Sequence, residues 1–438
     1  MLNRAALTAL YLDEIRRRGA KASDLLGSLP ASELLNTIYH RRYLPRPLFI
    51  GQAEREQLHA DLAMIHAAMV SLPDRLFGGD LKAFARAVGA SDYQVSAALR
   101  SQLGYVDTMH ELANNIFAET GAARGSFPVV AVTDWPSSYE KLAPYLRRLA
   151  APWRELGLDT YGCHLGELEV RGGRVWLRGR MVDVIYRIFL IECLHEPGAP
   201  TLLDPILDAV ARDEVTMFTQ LECEVFGSKG ALAMLSDERN RRAFSAAELV
   251  SIDRILPWTR MVRPGPVTLE DGRRVDLPGY AIAHQDDLVL KPAMMAAGRG
   301  VLLGWHRDTS PQLWREQVTK ALGTPCGYVI QRRVRPVPEL FPDDSGELAP
   351  WTVAWGVFTG RNGYGGAFAR ATPAASDLAV INMDAGRVSR LLPVHHRAWH
   401  PLTRQRARSA GSATAAGFAP CAPERRRSIG GSAACRWP

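Results

Sequence analysis

A strand–turn–strand pattern in the C-terminal half places the strongest constraint on the fold of this chain. The apolar run Asp287–Ala293 ends in a lysine and a proline, and the run Gly298–Gly304 resumes after a turn of small residues. Proline and glycine end strands and form tight turns, so the pattern predicts a β-hairpin. Such a turn can leave backbone N–H groups free to bind phosphate, and Lys291 would add a fixed positive charge. The segment therefore predicts a nucleotide site that is not a Walker P-loop.

The net charge of +7 is concentrated at one end of the chain. Residues 391–438 contain eight arginines and one acid, and the other 390 residues contain 45 basic and 45 acidic side chains. A nucleic-acid-binding protein is expected to carry its positive charge on the folded body, so nucleic acid is not expected as a partner. A basic interaction tail, a shifted reading frame and unselected sequence remain alternatives for the arginine-rich end.

Cysteine usage and hydropathy predict a cytoplasmic protein. The N-terminus lacks the apolar core of a signal peptide, and no apolar stretch reaches the length of a membrane span, so no membrane association is expected. The cysteines form no C-x-x-C pair and no zinc-like spacing, which favours reduced thiols in the core. They are Cys163, Cys193, Cys223, Cys326, Cys421 and Cys435.

Changes in pattern divide the chain into four regions. Residues 1–125 show the three- and four-residue apolar spacing of helices. Over 126–215 strands alternate with helices, as in an α/β domain, and over 216–395 hairpins are more frequent, as in an α+β domain. Residues 396–438 have a composition that cannot bury a core, so a disordered basic tail is predicted.

Basic side chains recur at strand ends and helix starts in the C-terminal half. Each can be an ordinary solvated charge, but their placement beside glycine-rich turns favours a shared anionic ligand. They are Lys229, Lys291, Arg332 with Arg333, and Arg370.

The order of these elements resembles the ATP-grasp ligases, and more narrowly the circularly permuted ATP-grasp proteins related to glutathionylspermidine synthase. The matching segments are Val182–Arg187, Ser228–Ala233, Val289–Pro292 with Gly298–Val301, Val329–Gln331 and Gly365–Arg370. No single segment is specific. The matching segments span about residues 126–390, after the helical N-terminal region that the apolar spacing predicts. The resemblance implies a pre-ATP-grasp-like α/β domain over 126–215 and an ATP-grasp domain with antiparallel sheet subdomains over 216–395.

The resemblance implies roles for the phosphate-facing residues. Lys229 and Lys291 are similar to the two lysines that reach the ATP phosphates from opposite subdomains. Gly298 and Gly300 lie in a segment similar to the glycine-rich loop that closes over them. Arg370 is similar to the arginine that stabilises charge on the transferred phosphoryl group, so Arg370 and Lys291 are the expected catalytic residues.

The same resemblance implies a nucleoside-binding segment. Gln331 to Val334, which includes Arg333, is similar to the hinge whose backbone pairs with adenine. Glu339 is placed to accept hydrogen bonds from the ribose.

The implied activity is an ATP- and Mg²⁺-dependent ligase that joins a small-molecule carboxylate to an amine through an acyl phosphate. Positioning and cationic groups suffice for this phosphoryl transfer. The chain departs from the family in its metal segment, where Asp107, Glu111 and Asn114 are weak candidates because a helix would make Glu111 and Asn114 mere surface neighbours. Asn382 is a second weak candidate.

The sequence leaves one alternative for the activity of the chain and two for the role of Arg187. A non-catalytic ATP-grasp-like binding or regulatory protein with a degraded metal site is the alternative to the ligase. Arg187 is either a clamp for the substrate carboxylate or half of a structural pair with Glu192.

Overall fold

The computed structural model describes residues 4–18, 44, 46–101, 128–155, 158–342, 347–360, 363–376, 381 and 390–395. The chain divides into two compact units, residues 1–398 and 399–438, and every described residue belongs to the first unit. The fold is mixed α/β, with one parallel sheet and several antiparallel sheets. The predicted disordered tail lies outside the described residues.

The N-terminal region is mainly helical, as its apolar spacing predicts. Its elements are α1 (Arg4–Arg18), β1 (Leu48–Phe49), α2 (Gln52–Val70), α3 (Leu72–Phe77), α4 (Leu81–Ala87) and α5 (Asp92–Arg100). Side-chain caps start two of these helices, because Asp80 accepts a hydrogen bond from the N–H of Ala83 and Ser91 from that of Gln94. Pro73 lies in the first turn of α3, where its missing N–H costs nothing.

A four-stranded parallel sheet forms the centre of the α/β region. The strands of this region are β2 (Val129–Asp134), β3 (Asp159–His164), β4 (Leu168–Arg171), β5 (Arg174–Leu177), β6 (Arg180–Met181), β7 (Val184–Arg187) and β8 (Thr216–Phe218). Its helices are α6 (Pro136–Glu155) and α7 (Ala199–Ala211), and 3₁₀ turns lie at Leu165–Glu167 and Ile191–His195. The strand order is β3-β2-β7-β8. Residues Val130, Ala131 and Val132 of β2 are fully buried, which confirms the prediction of a parallel strand covered on both faces.

The next region contains the predicted hairpin. Its elements are α8 (Glu222–Phe226), α9 (Lys229–Ser236), a 3₁₀ turn (Glu238–Ala243), α10 (Ala246–Ile255), β9 (Thr259–Met261), β10 (Pro266–Thr268), β11 (Arg274–Asp276), α11 (Leu277–Ala283), a 3₁₀ turn (Gln285–Asp287), β12 (Leu288–Pro292), β13 (Leu302–Leu303), α12 (Pro311–Leu322) and β14 (Tyr328–Arg332). Strands β12 and β13 are antiparallel, so the hairpin is confirmed. The sheet order is β13-β12-β14-β9.

The closing sheet combines both ends of the first unit. Its C-terminal strands are β15 (Glu339–Pro342), β16 (Leu348–Gly360), β17 (Gly363–Pro373) and β18 (Arg390–His395). Strand β1 pairs in parallel with β18, so the sheet order is β1-β18-β17-β16-β15. A segment of the N-terminal region therefore completes the sheet of the C-terminal region.

The N-terminal helices also share a core with the rest of the unit. One apolar cluster contains Ile65 of α2, Phe84 of α4, Ile185 of β7, Leu207 of α7 and Ile252 of α10. Helix α2 packs on α10, and this contact positions the residues that precede β9. No helix in the described part of the chain combines the length and the apolar character needed to span a bilayer.

The described cysteines are free thiols with different degrees of burial. Cys163 of β3 is buried in the apolar core, as predicted, and Cys193 and Cys326 are partly buried. Cys223 is exposed, so the prediction of a core position is wrong for this residue. It lies in the first turn of α8, a five-residue helix. Cys421 and Cys435 lie outside the described residues.

Candidate functional site

Two lysines from separate elements meet beside the β12–β13 loop. Lys229 is the first residue of α9, which begins because the Ser228 hydroxyl accepts a hydrogen bond from the N–H of Ala231 (3.1 Å). The Lys229 N–H donates to the carbonyl of Ala293 (2.9 Å), and its ammonium group donates to the carbonyl of Met295. The start of α9 is therefore anchored to the end of β12 through both backbone and side chain.

Lys291 lies within β12 and faces the neighbouring strand. Its ammonium group donates to the Gln331 side-chain oxygen (2.5 Å), and the Gln331 amide donates to the Thr259 hydroxyl (2.8 Å). This relay crosses β12, β14 and β9 on one face of the sheet. The predicted site residues Lys229, Lys291 and Gln331 are thus brought together.

The electrostatics of the lysine pair favour an anionic ligand. Burial lowers the pKa of Lys229, and burial together with the nearby charge of Lys229 lowers the pKa of Lys291. Within the described ranges, neither ammonium group lies within 4.0 Å of a carboxylate. An anion placed between the two lysines would stabilise their charged forms, which the protein alone leaves uncompensated.

The loop between β12 and β13 adopts backbone conformations that favour glycine. Gly298 and Gly300 have φ angles of 79° and 67°. A Cβ atom on Gly300 would also lie 2.7 Å from Cγ of Pro292, so the loop folds tightly over the end of β12. These are the two glycines expected to belong to a phosphate-covering loop.

The prediction that this turn leaves its backbone N–H groups free is wrong for three of its residues. The N–H groups of Arg299 and Val301 donate to the carbonyls of Ala296 and Gly298, because the turn is closed by its own hydrogen bonds. The N–H of Ala296 donates to a carboxylate oxygen of Glu192 (2.9 Å).

Glu192 is a contact of this loop that has no local sequence signature. It lies in the 3₁₀ turn after β7, its side chain is 5% exposed, and its second oxygen accepts a hydrogen bond from the Arg299 guanidinium. The loop is therefore joined to the α/β region by a buried carboxylate. No local pattern predicts this contact, because the two residues are 107 positions apart.

The predicted structural pair between Arg187 and Glu192 is wrong. Arg187 is buried and pairs with Glu224, and it also donates to the carbonyls of Thr219 (2.7 Å) and Phe189. Through these hydrogen bonds, the Arg187 guanidinium joins β7 to the segment that precedes α8. The arrangement is structural, and it leaves the alternative of a substrate clamp without support.

Two close backbone contacts place the N-terminal helices against the lysine site. A Cβ atom on Gly230 would lie 2.6 Å from the carbonyl oxygen of Val88, and one on Gly89 would lie 2.5 Å from the carbonyl oxygen of Cys326. Gly89 also has a φ of 101°, which few other residues adopt. Only glycine at both positions allows the end of α4 to lie between α9 and the sheet.

The predicted adenine-pairing hinge is largely occupied by the protein itself. The N–H of Arg332 donates to the carbonyl of Trp258, and the N–H of Arg333 donates to that of Asp287 (both 2.8 Å). The Arg333 guanidinium lies over the Trp305 ring at 4.1 Å from its centroid. Val334 is 63% exposed, and within the described residues its N–H has no acceptor, so it is the hinge position whose donor remains available.

Two predicted site residues lie in the closing sheet, whereas Lys291 lies in the β12 sheet. Glu339 of β15 is paired with the buried guanidinium of Arg46 (3.4 Å). Arg370 of β17 is in register with Ala354 of β16. The metal candidates Asp107, Glu111, Asn114 and Asn382 lie outside the described residues.

Several solved structures are similar to this chain at 10–14% sequence identity. No protein-family model matches the chain, and no curated protein matches its sequence. Among solved structures, a glutathione synthetase-like effector from Globodera pallida is 12% identical over 91% of this chain and 98% of its own, with a TM-score of 0.42. D-alanyl-alanine synthetase A from Vibrio cholerae O1 biovar eltor is 10% identical over 62% and 74%, with a TM-score of 0.31. D-cycloserine synthetase DcsG is 14% identical over 55% and 67%, with a TM-score of 0.27. Because all three TM-scores are below 0.5, these likenesses establish no activity or substrate for this chain.

Proposed function

We propose that the chain is an ATP-dependent ligase that joins a small-molecule carboxylate to an amine, with the circularly permuted ATP-grasp arrangement that its sequence resembles. The observation that carries the proposal is the Lys229–Lys291 pair, whose two positive charges meet without a neighbouring carboxylate. A triphosphate supplies the negative charge that such a pair lacks. The tight loop at Gly298–Gly300 lies beside the pair, where it can cover the bound phosphates.

The chemistry needs cationic groups and positioning more than a strong base. A carboxylate oxygen attacks the γ-phosphorus and ADP leaves, which forms an acyl phosphate. The amine then attacks the acyl carbon, loses a proton, and phosphate leaves as the amide bond forms. Lys229 and Lys291 would hold the phosphates during the first step, and Arg370 is the proposed partner of the transferred group.

The described residues contain no group of three or more His, Cys, Asp or Glu side chains that could hold a metal ion. Glu192 contacts the loop, but one of its oxygens already accepts a hydrogen bond from the N–H of Ala296 and the other from the Arg299 guanidinium. The magnesium candidates that the resemblance implies, Asp107, Glu111, Asn114 and Asn382, lie outside the described residues.

Nucleotide binding and turnover test the proposal separately. The full chain is incubated with Mg-ATP, and binding is measured by calorimetry while ADP release is measured with panels of carboxylates and amines. We expect ATP to bind and Lys291→Ala to weaken binding about tenfold or more, since a hydrogen bond to a charged group contributes about 1.5–3 kcal/mol. Lys320→Ala removes an exposed lysine of α12 and serves as the matched control.

Each outcome has a defined meaning. If ATP does not bind, or if Lys291→Ala and Lys320→Ala bind it equally, the nucleotide site is wrong. If ATP binds through the lysines but no carboxylate and amine pair releases ADP, the ligase is wrong and the non-catalytic binding protein replaces it.

A further inference from the structure

Neither Lys229 nor Lys291 lines a cavity of about 600 Å³ that lies beside the end of α9. Its walls come from α3, α4, α9, the Glu238–Ala243 turn and the end of β9. Cys326, which precedes β14, lines one side. The Lys291 side chain reaches in the other direction, towards Gln331 at the far end of β14. Lys229 nevertheless lies close to the Cys326 end of β14, because its N–H donates to the carbonyl of Ala293, whose own N–H donates to the carbonyl of Gly327.

The charged part of the cavity wall is rich in arginine. Four arginines line it, together with the single acid Asp237. Two of them are neutralised, because Arg75 binds both oxygens of Glu248 (2.8 and 3.0 Å) and Arg239 binds both oxygens of Asp237. These two ion pairs leave the other two arginines as the source of positive charge in the cavity.

Arg242 and Arg263 have no anionic partner among the described residues. Arg242 is exposed, and its side chain makes no hydrogen bond or ion pair within the described ranges. The Arg263 guanidinium donates only long hydrogen bonds, to the carbonyls of Pro264 (3.5 Å) and Pro266 (3.4 Å). Guanidinium groups bind carboxylate and phosphate in bidentate geometry, so two such groups on one cavity favour a ligand with two anionic groups.

The rest of the wall is apolar. Phe77, Met234 and Met261 line the cavity together with small side chains of α4 and α9. Ligand sites commonly combine a concave apolar surface with a few charged groups that fix orientation. A free inorganic anion would leave this apolar surface uncovered, which favours an organic ligand.

We propose that this cavity is a second ligand site, which binds a small organic molecule that carries two carboxylate or phosphate groups on an apolar body. Arg242 and Arg263 bind the anionic groups, and the Phe77–Met234–Met261 surface covers the apolar body. The site is separate from nucleotide binding at the lysine pair and does not depend on it.

The first test compares three aromatic probes in thermal-shift and calorimetric titrations of the full chain. Isophthalate carries two carboxylates, benzoate carries one, and isophthalamide carries none. We expect isophthalate to bind most tightly and isophthalamide not to bind. In the Arg242→Ala/Arg263→Ala double variant, isophthalate affinity should fall about tenfold or more, because charge-assisted hydrogen bonds are lost. Arg274→Ala removes an exposed arginine of β11 and should leave the affinity unchanged.

The second test uses the two thiols as reporters within one sample. Cys326 lines the cavity, whereas Cys223 is exposed and does not. Labelling with a maleimide, followed by peptide mass spectrometry, should show that isophthalate protects Cys326 but not Cys223. A non-hydrolysable ATP analogue should protect neither thiol. Because this readout uses the unaltered chain, it does not depend on the folding of a variant.

Several results would overturn the proposal. One is that isophthalate binds the wild type and the double variant with equal affinity, or binds neither of them. Another is tighter binding of phosphate than of isophthalate, which would indicate an inorganic-anion site. Protection of Cys326 by the ATP analogue, with competition against isophthalate, would show that the cavity belongs to the nucleotide site. Failure of ATP to bind would disprove the proposed ligase but leave this site standing.

Discussion

The Glu192 carboxylate accepts a hydrogen bond from the Arg299 guanidinium, and this contact joins the β12–β13 loop to the α/β region. Its other oxygen accepts from the N–H of Ala296 (2.9 Å). Both donors thus face a negatively charged group of the protein itself. A phosphate that reached the loop would therefore meet donors already arranged for an anion, and Glu192 would compete with it.

Release of this loop by Glu192→Gln should be measurable by proteolysis. The glutamine keeps the size of the side chain but loses its charge, which weakens the contact with Arg299. The open population of the loop should rise about fivefold, since about 1 kcal/mol of stabilisation is lost. Tryptic cleavage after Arg299 should accelerate by a similar factor, because cleavage follows the open population. Peptide mass spectrometry over time measures the rate.

Cleavage after Arg273 gives an internal control in the same digest. Arg273 is exposed in the β10–β11 turn and makes no contact with Glu192. Its rate should be the same in both proteins. Equal acceleration at both arginines would indicate general destabilisation, and an unchanged rate at Arg299 would show that Glu192 does not hold the loop.

ATP binding should be accompanied by proton uptake. Burial lowers the pKa of Lys291, and the charge of Lys229 lowers it further, so the free protein holds its protons on these lysines less firmly than ordinary lysines do. Bound phosphates would raise both pKa values again. Uptake should be largest at pH values between the lowered pKa of the free protein and the higher pKa of the complex, and affinity should fall as pH rises through that window.

Calorimetry in two buffers of different ionisation enthalpy measures the number of protons taken up. Lys291→Met should reduce that number and Lys320→Met should leave it unchanged. Uptake that is identical in all three proteins would assign the protons to other groups.

The close approach of Gly89 to Cys326 should be essential for the stability of the unit. A methyl group at this position would meet the Cys326 carbonyl oxygen at 2.5 Å in a backbone held at φ 101°. Gly89→Ala should lower the free energy of unfolding by about 2–4 kcal/mol, from strain and overpacking together.

Gly272→Ala separates these two causes. Gly272 has a φ of 82°, and nothing lies within 4 Å of its added Cβ atom, so this change introduces backbone strain alone. It should cost about 1 kcal/mol. Denaturant unfolding of both variants measures the difference. Equal losses in the free energy of unfolding would mean that the contact between Gly89 and Cys326 relaxes with no energetic cost.

Local chemistry explains why several elements are predictable from sequence. The Ser228 and Ser310 caps, Pro311 in a first turn, and the Lys291–Pro292 strand end all act within a few residues, and the corresponding helices and hairpin are observed. The buried apolar run of β2 likewise predicts its place in a parallel sheet. Apolar periodicity and turn chemistry are sufficient for such elements.

Contacts between distant segments are not encoded in any short pattern. Glu192 and Arg299 are 107 positions apart, and β1 joins β18 across almost the whole first unit. The pairing of Arg187 with Glu224 rather than Glu192 depends on where the segment before α8 passes. Sequence could therefore nominate the two lysines and Gln331, but it could not show which backbone donors of the loop and hinge the protein already uses.

The ion pair between α3 and α10 should make stability depend on pH in the acidic range. Hydrogen bonds from Arg75 lower the pKa of Glu248 to about 2 from its ordinary 4.5, and Ser245 adds to this effect. A carboxylate with a lowered pKa in the folded state stabilises the protein fully above its unfolded pKa, and the contribution disappears as pH falls from about 4.5 to about 2.

Glu248→Gln should therefore lower the free energy of unfolding at pH 7 by about 3 kcal/mol at most. Between about pH 5 and about pH 3, the free energy of unfolding of this variant should change less than that of the wild type. Urea unfolding at several pH values measures this, with the exposed Glu140→Gln as the control. Parallel pH profiles for the wild type and Glu248→Gln would contradict the assignment of this acid sensitivity to the Arg75–Glu248 pair.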